Sequence, residues 1–292
     1  MGARKNFSLS IKVQVMSSQA EEQTVVFSIE DGVAWVRFNR PEKRNAMSPA
    51  LNRRMMQVLD ELEFHPDVGV LVLTGEGTAW TAGMDLQEYF RDTEAHGLAG
   101  TRKAQRESYG WWRRLRWYQK PTIAMINGWC FGAATVRCSR AISRSAPRKP
   151  ALAFRRSTGA SCQEAARSKV ATELLSFRRA MYHAMLGENI DGRKAEEWGL
   201  VNEAVPAAQL RTRVVEVAQA LLKKNPVALK ATKDAIRRVR EMTYENAEDF
   251  LVRAQEAANS YDDGRKEGLK QFLDDKTYKP GLGTYDLKRQ RT

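Results

Sequence analysis

The chain has 292 residues, a formal net charge of +13 and a hydrophobic fraction of 42%. That length is enough for one large domain or two small ones with an ample core, and seven Trp, eight Tyr and ten Phe argue against general disorder. No run of about 18 apolar residues is present, so a membrane-spanning helix is not predicted. The residues before Met16 contain neither a continuous apolar stretch nor a myristoylation signal, which argues against secretion and lipid anchoring.

The cysteines and histidines exclude several kinds of site. They are Cys130, Cys138, Cys162, His65, His96 and His183. Three cysteines form no disulfide framework and have no metal-binding spacing, which favours a reduced, cytoplasmic setting. The histidines lie far apart in sequence, so neither a zinc site nor a nucleophile–histidine triad is predicted, and each is more typical of a surface or packed residue.

The positive charge is concentrated in two segments. Residues 1–15 carry +3, residues 137–169 carry +8, and the rest of the chain carries only +2. Outside these segments the protein is nearly neutral, which weakens the nucleic-acid interpretation that the overall charge suggests.

In chain order, the first elements follow from local signals. The stretch VVFSIEDGVAWVRF, residues 25–38, predicts two strands joined by a two-residue Asp-Gly turn. Ser48 followed by Pro49 predicts a helix start. The helix then presents one apolar face, formed by Leu51, Met55, Val58, Leu59 and Leu62.

Strands and helices then alternate. The continuous apolar run from Val68 to Leu73 predicts a strand buried on both faces, with the following Thr-Gly-Glu-Gly as its end. A helix is predicted over Ser108–Gln119 and a second buried strand over Thr122–Ile126. This alternation indicates an α/β fold with a parallel sheet.

Helices dominate the rest of the chain. A helix is predicted over Thr172–Leu186, then a short helix over Ala195–Gly199, a strand around Val201 to Val205, and helices from Ala207 onward. We therefore expect an N-terminal extension without regular structure in residues 1–24, a core in residues 25–206 and a helical C-terminal region in residues 207–292.

Two glycine turns follow the buried strands. In WTAGMDLQEYF, residues 80–90, Gly83 frees the backbone and Asp85 can cap a following helix, so the N–H of Met84 would point outward. The second turn, Gly128 to Gly132, could supply another N–H. Two such donors would form an oxyanion hole, which stabilises a developing negative charge on oxygen. Taken alone, the two segments are better explained as ordinary strand-to-helix turns.

Several motifs in order and spacing resemble the crotonase (enoyl-CoA hydratase/isomerase) superfamily. They are NRPEKRNAMS, LTGEGTAWTAGMDL, KPTIAMINGWCFG, EEWGLVNEAVP and KNPVALKATKDAI. WTAGMDLQEYF, NGWCFG and EGLKQFLDDKTYKPGL are similar to one branch, p-hydroxycinnamoyl-CoA (feruloyl-CoA) hydratase/lyase. The likeness covers residues 25–132 and 170–283. It implies an α/β spiral of ββα turns with a helical trimerisation region at the C-terminus.

The resemblance also assigns roles to residues. It implies that the N–H of Met84 is one oxyanion donor and that of Gly132 or Ala133 is the other. The CoA-binding residues that it implies are Lys43, Ala82, Met84 and Leu86. Tyr89 would bond the 4-hydroxyl of the substrate ring. Lys43 could instead be a solvated loop lysine, and Tyr89 an ordinary core tyrosine.

The implied reaction uses an acyl-CoA thioester, with CoA as part of the substrate and without metal or other cofactor. Water adds to the polarised double bond, and a retro-aldol step then releases vanillin or 4-hydroxybenzaldehyde and acetyl-CoA. Both steps need a carboxylic acid that carries protons. The branch holds it in a motif like SEINWG, which this chain lacks, and a second active-site tyrosine has no clear counterpart near Phe250.

Other functions stay open at this point. An ordinary enoyl-CoA hydratase or isomerase of the same fold is one, and a catalytically impaired relative is another. A non-catalytic, RNA-binding relative is the third, with the arginine tract as its contact. Against RNA binding, that tract contains a single aromatic residue, Phe154. We expect an acyl-CoA substrate, no nucleic-acid or membrane partner, and a homotrimer or a dimer of trimers.

The anomalous segment, residues 133–168, has the character of an out-of-frame translation. With a suitable choice of synonymous codons, the bases that encode Ala151 to Ser168 read FGLSEINWGILPGGGAV from the third base of the first codon. That reading contains the missing motif and ends where family-like sequence resumes at Lys169. Unpaired arginines at that place in a core would each cost several kcal/mol of desolvation. The hypothesis therefore predicts a poorly active or unstable chain.

Resequencing the gene tests this hypothesis. We expect single-base insertions or deletions that bracket the segment and restore the SEINWG-like reading. A clean open frame through these codons, together with cleavage of feruloyl-CoA by the purified protein, would refute it. Glu164 would then be the remaining local carboxylate to consider as the proton carrier.

Overall fold

The structure, a computed structural model, describes residues 21–132, 143–147, 152–153, 165–261 and 263–277. Across these ranges, no helix combines the length and the apolar character needed to cross a bilayer. The chain divides into two compact units, residues 1–118 with 122–214 and residues 119–121 with 215–292. Most of the N-terminal extension and of the anomalous segment lies outside the described residues.

The predicted hairpin is present. Strands β1 (Val25–Glu30) and β2 (Val33–Phe38) pair antiparallel, with Val25 opposite Phe38. Asp31 and Gly32 both have positive φ, 48° and 81°, as a two-residue turn of type I′ requires. The Asp-Gly signal therefore gave both the turn and its register.

Helix α1 (Pro49–Glu63) begins as predicted. Its N-cap is Ser48, whose Oγ accepts a hydrogen bond from the N–H of Leu51 at 3.2 Å. The five predicted apolar residues are fully buried: Leu51, Met55, Val58, Leu59 and Leu62. The helical period of 3.6 residues accounts for this face, and its burial supplies much of the core of the first unit.

Two sheets share the remaining strands of the first unit. The six-stranded sheet has the order β1-β2-β3-β5-β7-β9, parallel from β2 onward, and the three-stranded parallel sheet has the order β4-β6-β8. The new strands are β3 (Val70–Gly75), β4 (Ala79–Thr81), β5 (Thr122–Met125), β6 (Trp129–Phe131), β7 (Ser143–Pro147), β8 (Leu152–Ala153) and β9 (Glu203–Val205). From β3 to β9, successive strands alternate between the sheets, as the spiral of turns implied.

Strand β3 differs from its predicted bounds. It begins two residues after Val68 and continues through Thr74 and Gly75, which the sequence predicts as its end. Both residues are buried, and they pair with Arg37 and Phe38 of β2. The pairing therefore overrides the glycine signal, because a neighbouring strand supplies partners for the backbone.

Helix α2 (Gly97–Arg116) is longer than predicted. It begins well before Ser108. The sequence did not predict this start, because the first turns carry little apolar pattern and Ala104 is their buried residue. Two hydrogen bonds join it and the following Tyr118 to α1. Trp111 Nε1 donates to Asn52 Oδ1 at 2.8 Å, and the Tyr118 hydroxyl donates to Leu59 O at 3.0 Å.

The prediction of a single helix over Thr172–Leu186 is wrong. Two helices occupy this stretch, α3 (Ala165–Leu174) and α4 (Phe177–Leu186), and Ser176 separates them with an extended backbone, φ −58° and ψ 150°. The short helix α5 (Gly192–Glu197) begins earlier than predicted, because the Asp191 side chain caps it by accepting from Lys194 N at 2.8 Å.

The C-terminal region is helical, as predicted. Its helices are α6 (Leu210–Leu222), α7 (Pro226–Val239), α8 (Tyr244–Tyr261) and α9 (Gly264–Leu273). Asn225 caps α7 by accepting from Ala228 N at 3.0 Å, and Pro226 occupies the first helical position. Within the second unit, Lys233 Nζ donates to Lys120 O at 2.9 Å, which ties residues 119–121 to α7.

Candidate active site

The site begins with the loop after β2, residues 39–48, which we call the site loop. Two consecutive residues in it, Arg44 and Asn45, are left-handed, with φ 48° and 56°. Asparagine tolerates this conformation better than most residues. The Asn45 side chain also holds the loop in place, because Nδ2 donates to Glu76 O at 2.9 Å and to Ala79 O at 2.7 Å. One amide thus fixes the site loop against the connection between β3 and β4.

The first glycine turn, residues 81–85, is joined to the site loop by a parallel bridge. Met47 N–H donates to Gly83 O at 2.8 Å, and Asp85 N–H donates to Met47 O at 3.1 Å. In an extended segment the backbone groups of successive residues point to opposite edges. The N–H of Met84 therefore points away from Met47.

Asp85 caps the helical segment that follows the first glycine turn, as predicted. Its Oδ1 accepts from the N–H groups of Gln87 at 3.0 Å and Glu88 at 2.9 Å. The segment Leu86–Arg91 is a π-helical turn, a wide form that is frequent at functional sites. Burial alone would raise the pKa of the Asp85 carboxyl. The hydrogen bonds from Glu88 N–H and from the Arg40 side chain outweigh burial and hold that pKa below its ordinary value.

A buried arginine lies beneath this turn. The Arg40 side chain is 10% exposed, and its Nη1 donates to Asp85 Oδ2 at 3.1 Å and to Ala46 O at 2.7 Å. Its Nη2 donates to Glu88 Oε1. The sequence reasoning missed this residue, because Arg40 lies in the charged loop NRPEKR and nothing local separates a buried arginine from a solvated one.

The stretch predicted as the second glycine turn, Gly128 to Gly132, is mostly strand β6 (Trp129–Phe131), so the turn itself is confined to Gly132. Since β6 pairs with β4, Gly132 and the first glycine turn lie at the same edge of the smaller sheet. The preceding Asn127 anchors it. Its Nδ2 donates to Gly75 O at 2.7 Å and to Gly77 O at 3.0 Å, and its Oδ1 accepts from Gly75 N at 3.2 Å. At Gly128 a Cβ would lie 1.9 Å from Thr78 O, so only glycine fits there.

The two glycine turns touch each other. Gly83 has φ +97°, and a Cβ placed on it would lie 2.9 Å from Phe131 O and 4.0 Å from Gly132 Cα. Gly132 also has positive φ, 60°. The turn that carries Met84 and the turn that carries Gly132 therefore meet backbone to backbone, as an oxyanion hole made from both requires. Ala133, the alternative second donor, lies outside the described residues.

The predicted CoA-binding residues lie along the site loop, the first glycine turn and the start of the π-helical turn. Ala82 N–H donates to Arg44 O at 2.8 Å, which places Ala82 beside the segment that contains Lys43. Lys43 is exposed, and Leu86 is 67% exposed. These positions suit contacts with a ligand that lies across the surface.

Tyr89 lies in the π-helical turn and is 7% exposed. Its backbone N–H donates to Asp85 O at 3.0 Å, and its ring lies 5.0 Å from the Phe90 ring, edge to face. Since Asp85 follows Met84 directly, Tyr89 is held one helical turn from the predicted oxyanion donor.

Comparisons with known proteins identify similar sequences. The model of the family described as enoyl-CoA hydratase/isomerase matches residues 28–280. A "Hydroxycinnamoyl-CoA hydratase-lyase" from Pseudomonas fluorescens is 48% identical over 269 residues, which cover 90% of this chain and 96% of that protein. A "4-chlorobenzoyl coenzyme A dehalogenase-2" from Arthrobacter sp is 32% identical, with 70% of this chain and 74% of that protein covered.

Solved structures share the fold. The crystal structure of an enoyl-CoA hydratase from Bacillus anthracis matches with a TM-score of 0.79 and 25% identity, covering 87% of this chain and 97% of that chain. A human enoyl-CoA hydratase domain-containing protein 3 matches with a TM-score of 0.78 and 21% identity, covering 88% of this chain and 99% of that one. Because its sequence identity is only 21%, the human match supports the fold and not the function.

The contact between the turns predicts which substitutions matter. Gly83→Ala places a Cβ against Phe131 O and should displace one oxyanion donor. Turnover of the acyl-CoA thioester that the sequence resemblance implies should then fall about 100-fold. Met84→Leu should keep most activity, because Met84 acts through its backbone. Steady-state kinetics on purified variants measure both.

The matched control is Gly97→Ala. Gly97 also has positive φ, 68°, but nothing lies within 4 Å of a Cβ there, so this variant carries the backbone strain without the contact. We expect a stability loss of about 1 kcal/mol and unchanged turnover. An inactive but folded Met84→Leu protein would contradict the backbone role of Met84.

Proposed function

Since the chain belongs to the enoyl-CoA hydratase/isomerase family, we propose that it hydrates hydroxycinnamoyl-CoA thioesters and cleaves the product by a retro-aldol step. The observation that carries the proposal is the backbone contact between Gly83 and Phe131-Gly132, which supports an oxyanion hole between the two turns. The Pseudomonas relative supports the choice of substrate.

The oxyanion hole serves the hydration step first. The N–H of Met84 and that of Gly132 or Ala133 donate to the thioester oxygen and draw electrons from the conjugated double bond. Water then attacks the benzylic carbon, and a proton is delivered to the carbon next to the carbonyl. Donors fixed by the backbone need no reorganisation as charge develops, and this is why such holes are worth several kcal/mol in an active site.

The same donors serve the cleavage step. The β-hydroxyl group loses its proton, the bond between the two side-chain carbons breaks, and the electron pair becomes the enolate of acetyl-CoA. Protonation of that enolate gives acetyl-CoA, and the ring fragment leaves as an aldehyde, vanillin when the substrate is feruloyl-CoA. One water is consumed and no electrons are exchanged with a cofactor, so we propose that none is used.

Both steps need a group that gives and takes a proton. Asp85 is unsuited to this work, because its hydrogen bonds hold its pKa below the ordinary range and keep it ionised. We assign the proton carrier to the glutamate that the family-like reading of the anomalous segment places near residue 156, where the printed sequence has Arg155 and Arg156. This segment lies outside the described residues.

The substrate then spans the site from the CoA end to the ring end. We propose that Lys43, Ala82, Met84 and Leu86 contact the CoA part. This is consistent with their position on the site loop, the first glycine turn and the start of the π-helical turn. We propose that the hydroxyl of Tyr89 bonds the 4-hydroxyl of the ring. The burial of Tyr89 supports this role, because a buried hydroxyl pair is sheltered from competing water.

We further propose that the protein acts in the cytoplasm as a homotrimer or a dimer of trimers. Helices of the second unit expose several large apolar side chains, which a subunit contact would cover: Ile236, Tyr244, Leu251, Val252, Leu269 and Leu273. The neutral balance of charge outside residues 1–15 and 137–169 favours no nucleic-acid partner.

Turnover of feruloyl-CoA tests the proposal. We expect loss of the conjugated thioester absorbance together with formation of vanillin and acetyl-CoA in equal amounts. The rate should be high in protein with the SEINWG-like reading restored and much lower in protein with the printed segment 133–168. Crotonyl-CoA, which lacks the aromatic ring, should react far more slowly. Faster hydration of crotonyl-CoA without carbon–carbon cleavage would favour an ordinary enoyl-CoA hydratase. Salt-dependent binding of RNA without turnover of either thioester would favour the RNA-binding alternative.

Tyr89→Phe tests the ring end of the site. Loss of a buried hydrogen bond should cost about 1–3 kcal/mol in kcat/KM for feruloyl-CoA while affinity for free CoA is unchanged. The same loss should be absent for cinnamoyl-CoA, which has no 4-hydroxyl group. Tyr182→Phe is the matched control, since Tyr182 lies 56% exposed on α4. Equal feruloyl-CoA kinetics for wild type and Tyr89→Phe would remove Tyr89 from the site.

A further inference from the structure

We propose that Arg40 is a positioning residue for this reaction, which sets the oxyanion turn and the π-helical turn relative to the site loop. The inference rests on the proposed function. Its basis is that one guanidinium binds all three segments, through Ala46 O in the site loop, Asp85 in the first glycine turn and Glu88 in the π-helical turn.

The chemistry of arginine suits this arrangement. A guanidinium is planar and presents its N–H donors in a fixed fork, so its two terminal nitrogens can point at two carboxylates at once. Nη2 binds Glu88, while Nη1 binds both Asp85 and Ala46 O. A lysine ammonium is a compact charge on a flexible stem and cannot fix the same three directions.

Burial strengthens these contacts and fixes the orientation of the guanidinium. The side chains of Arg40 and Asp85 are 10% and 7% exposed, so water screens and competes with their ion pair little. The Glu88 side chain is 41% exposed, which makes that arm weaker and open to change without disturbing the core. The arginine is thus held firmly on the side of the oxyanion turn and more loosely on the side of the π-helical turn.

The position of Arg40 gives it influence on both reacting ends of the substrate. Asp85 follows Met84, the predicted oxyanion donor, and also caps the turn that carries Tyr89. Glu88 directly precedes Tyr89. A shift of the guanidinium would therefore move the Met84 N–H and the Tyr89 hydroxyl together, and misplacement of reacting groups by about 1 Å can cost about 100-fold in rate.

A purely structural role makes a different prediction. If Arg40 only stabilised the fold, its loss would lower the melting temperature and leave the folded protein with normal chemistry. A positioning role also lowers kcat and alters how the bound thioester carbonyl is polarised. The two roles can therefore be separated in protein that is shown to be folded by circular dichroism.

The experiment compares wild type with Arg40→Met, Arg40→Lys and Glu88→Gln. The control is Arg53→Met, because Arg53 also joins two carboxylates, Glu21 and Glu107, and none of the three belongs to the site loop, the glycine turns or the π-helical turn. Two readouts are used: kcat and KM for feruloyl-CoA, and the absorbance of bound 4-hydroxybenzoyl-CoA. That ligand has no side-chain double bond to hydrate, and its absorbance moves to longer wavelength when the thioester carbonyl is polarised.

We expect Arg40→Met to lower kcat about 100-fold, with affinity for free CoA changed less than about threefold, and to abolish the absorbance shift. Arg40→Lys should recover part of both readouts. Glu88→Gln should lower kcat about threefold, since it weakens only the exposed arm. If Arg40→Met does not fold, Glu88→Gln carries the test, and an unchanged kcat and shift in that variant would overturn the proposal.

The outcomes also separate this proposal from the proposed function. Wild-type turnover and a wild-type shift, both retained in a folded Arg40→Met protein, would overturn the positioning role and leave the function standing. Wild-type protein that neither cleaves feruloyl-CoA nor shifts the absorbance of 4-hydroxybenzoyl-CoA would overturn the function, and the role of Arg40 with it. Loss of both readouts in Arg53→Met would show that any lost arginine has this effect and would also overturn the positioning role.

Discussion

The site depends on one constraint, the direct contact of two backbone segments with no side chain between them. At Gly83 a Cβ would stand 2.9 Å from Phe131 O, and at Gly128 it would stand 1.9 Å from Thr78 O. These approaches bring the edges of β4 and β6 close enough for the turns after them to meet. An N–H group reaches a ligand oxygen only when the backbone itself comes close, so the contact is what permits two backbone donors to converge.

Close backbone segments leave many polar groups to satisfy, and two asparagines meet this need. Asn45 and Asn127 each donate to backbone carbonyls between Gly75 and Ala79. Each also accepts from a backbone N–H, that of Arg40 for Asn45 and that of Gly75 for Asn127. A neutral amide does so without the desolvation cost of an ion. Under the first turn, charged groups meet this need, where Arg40 binds Asp85 and Glu88.

Features with local causes could be predicted from the sequence. The hairpin follows from Asp31-Gly32, the start of α1 from Ser48-Pro49, and the cap on the π-helical turn from Asp85. Features that depend on distant partners could not. The continuation of β3 through Gly75 needs β2 beside it, and the buried state of Arg40 needs carboxylates 45 and 48 residues away. The first turns of α2 lack an apolar pattern, so nothing local marks their start.

The candidate site shows the same division. The glycine turns were visible as motifs, but their contact comes from the pairing of β4 with β6, whose partners are about 50 residues apart. Resemblance to a family supplied roles that no pattern in the residues gives, Tyr89 among them. The anomalous segment marks the reverse case, since there the family-like pattern itself is interrupted.

The alternation of strands between two sheets has a consequence for folding. The hydrogen bonds that build the site join residues far apart, Asn45 to Ala79 over 34 positions and Asn127 to Gly75 over 52. Chain entropy must be lost before such contacts form, so proteins rich in them fold slowly. The hairpin and α1 can form from neighbouring residues, whereas the glycine turns can meet only after β6 has joined β4. A chain emerging from the ribosome would therefore hold its first turn in place, without its counterpart, until residue 132 had been made.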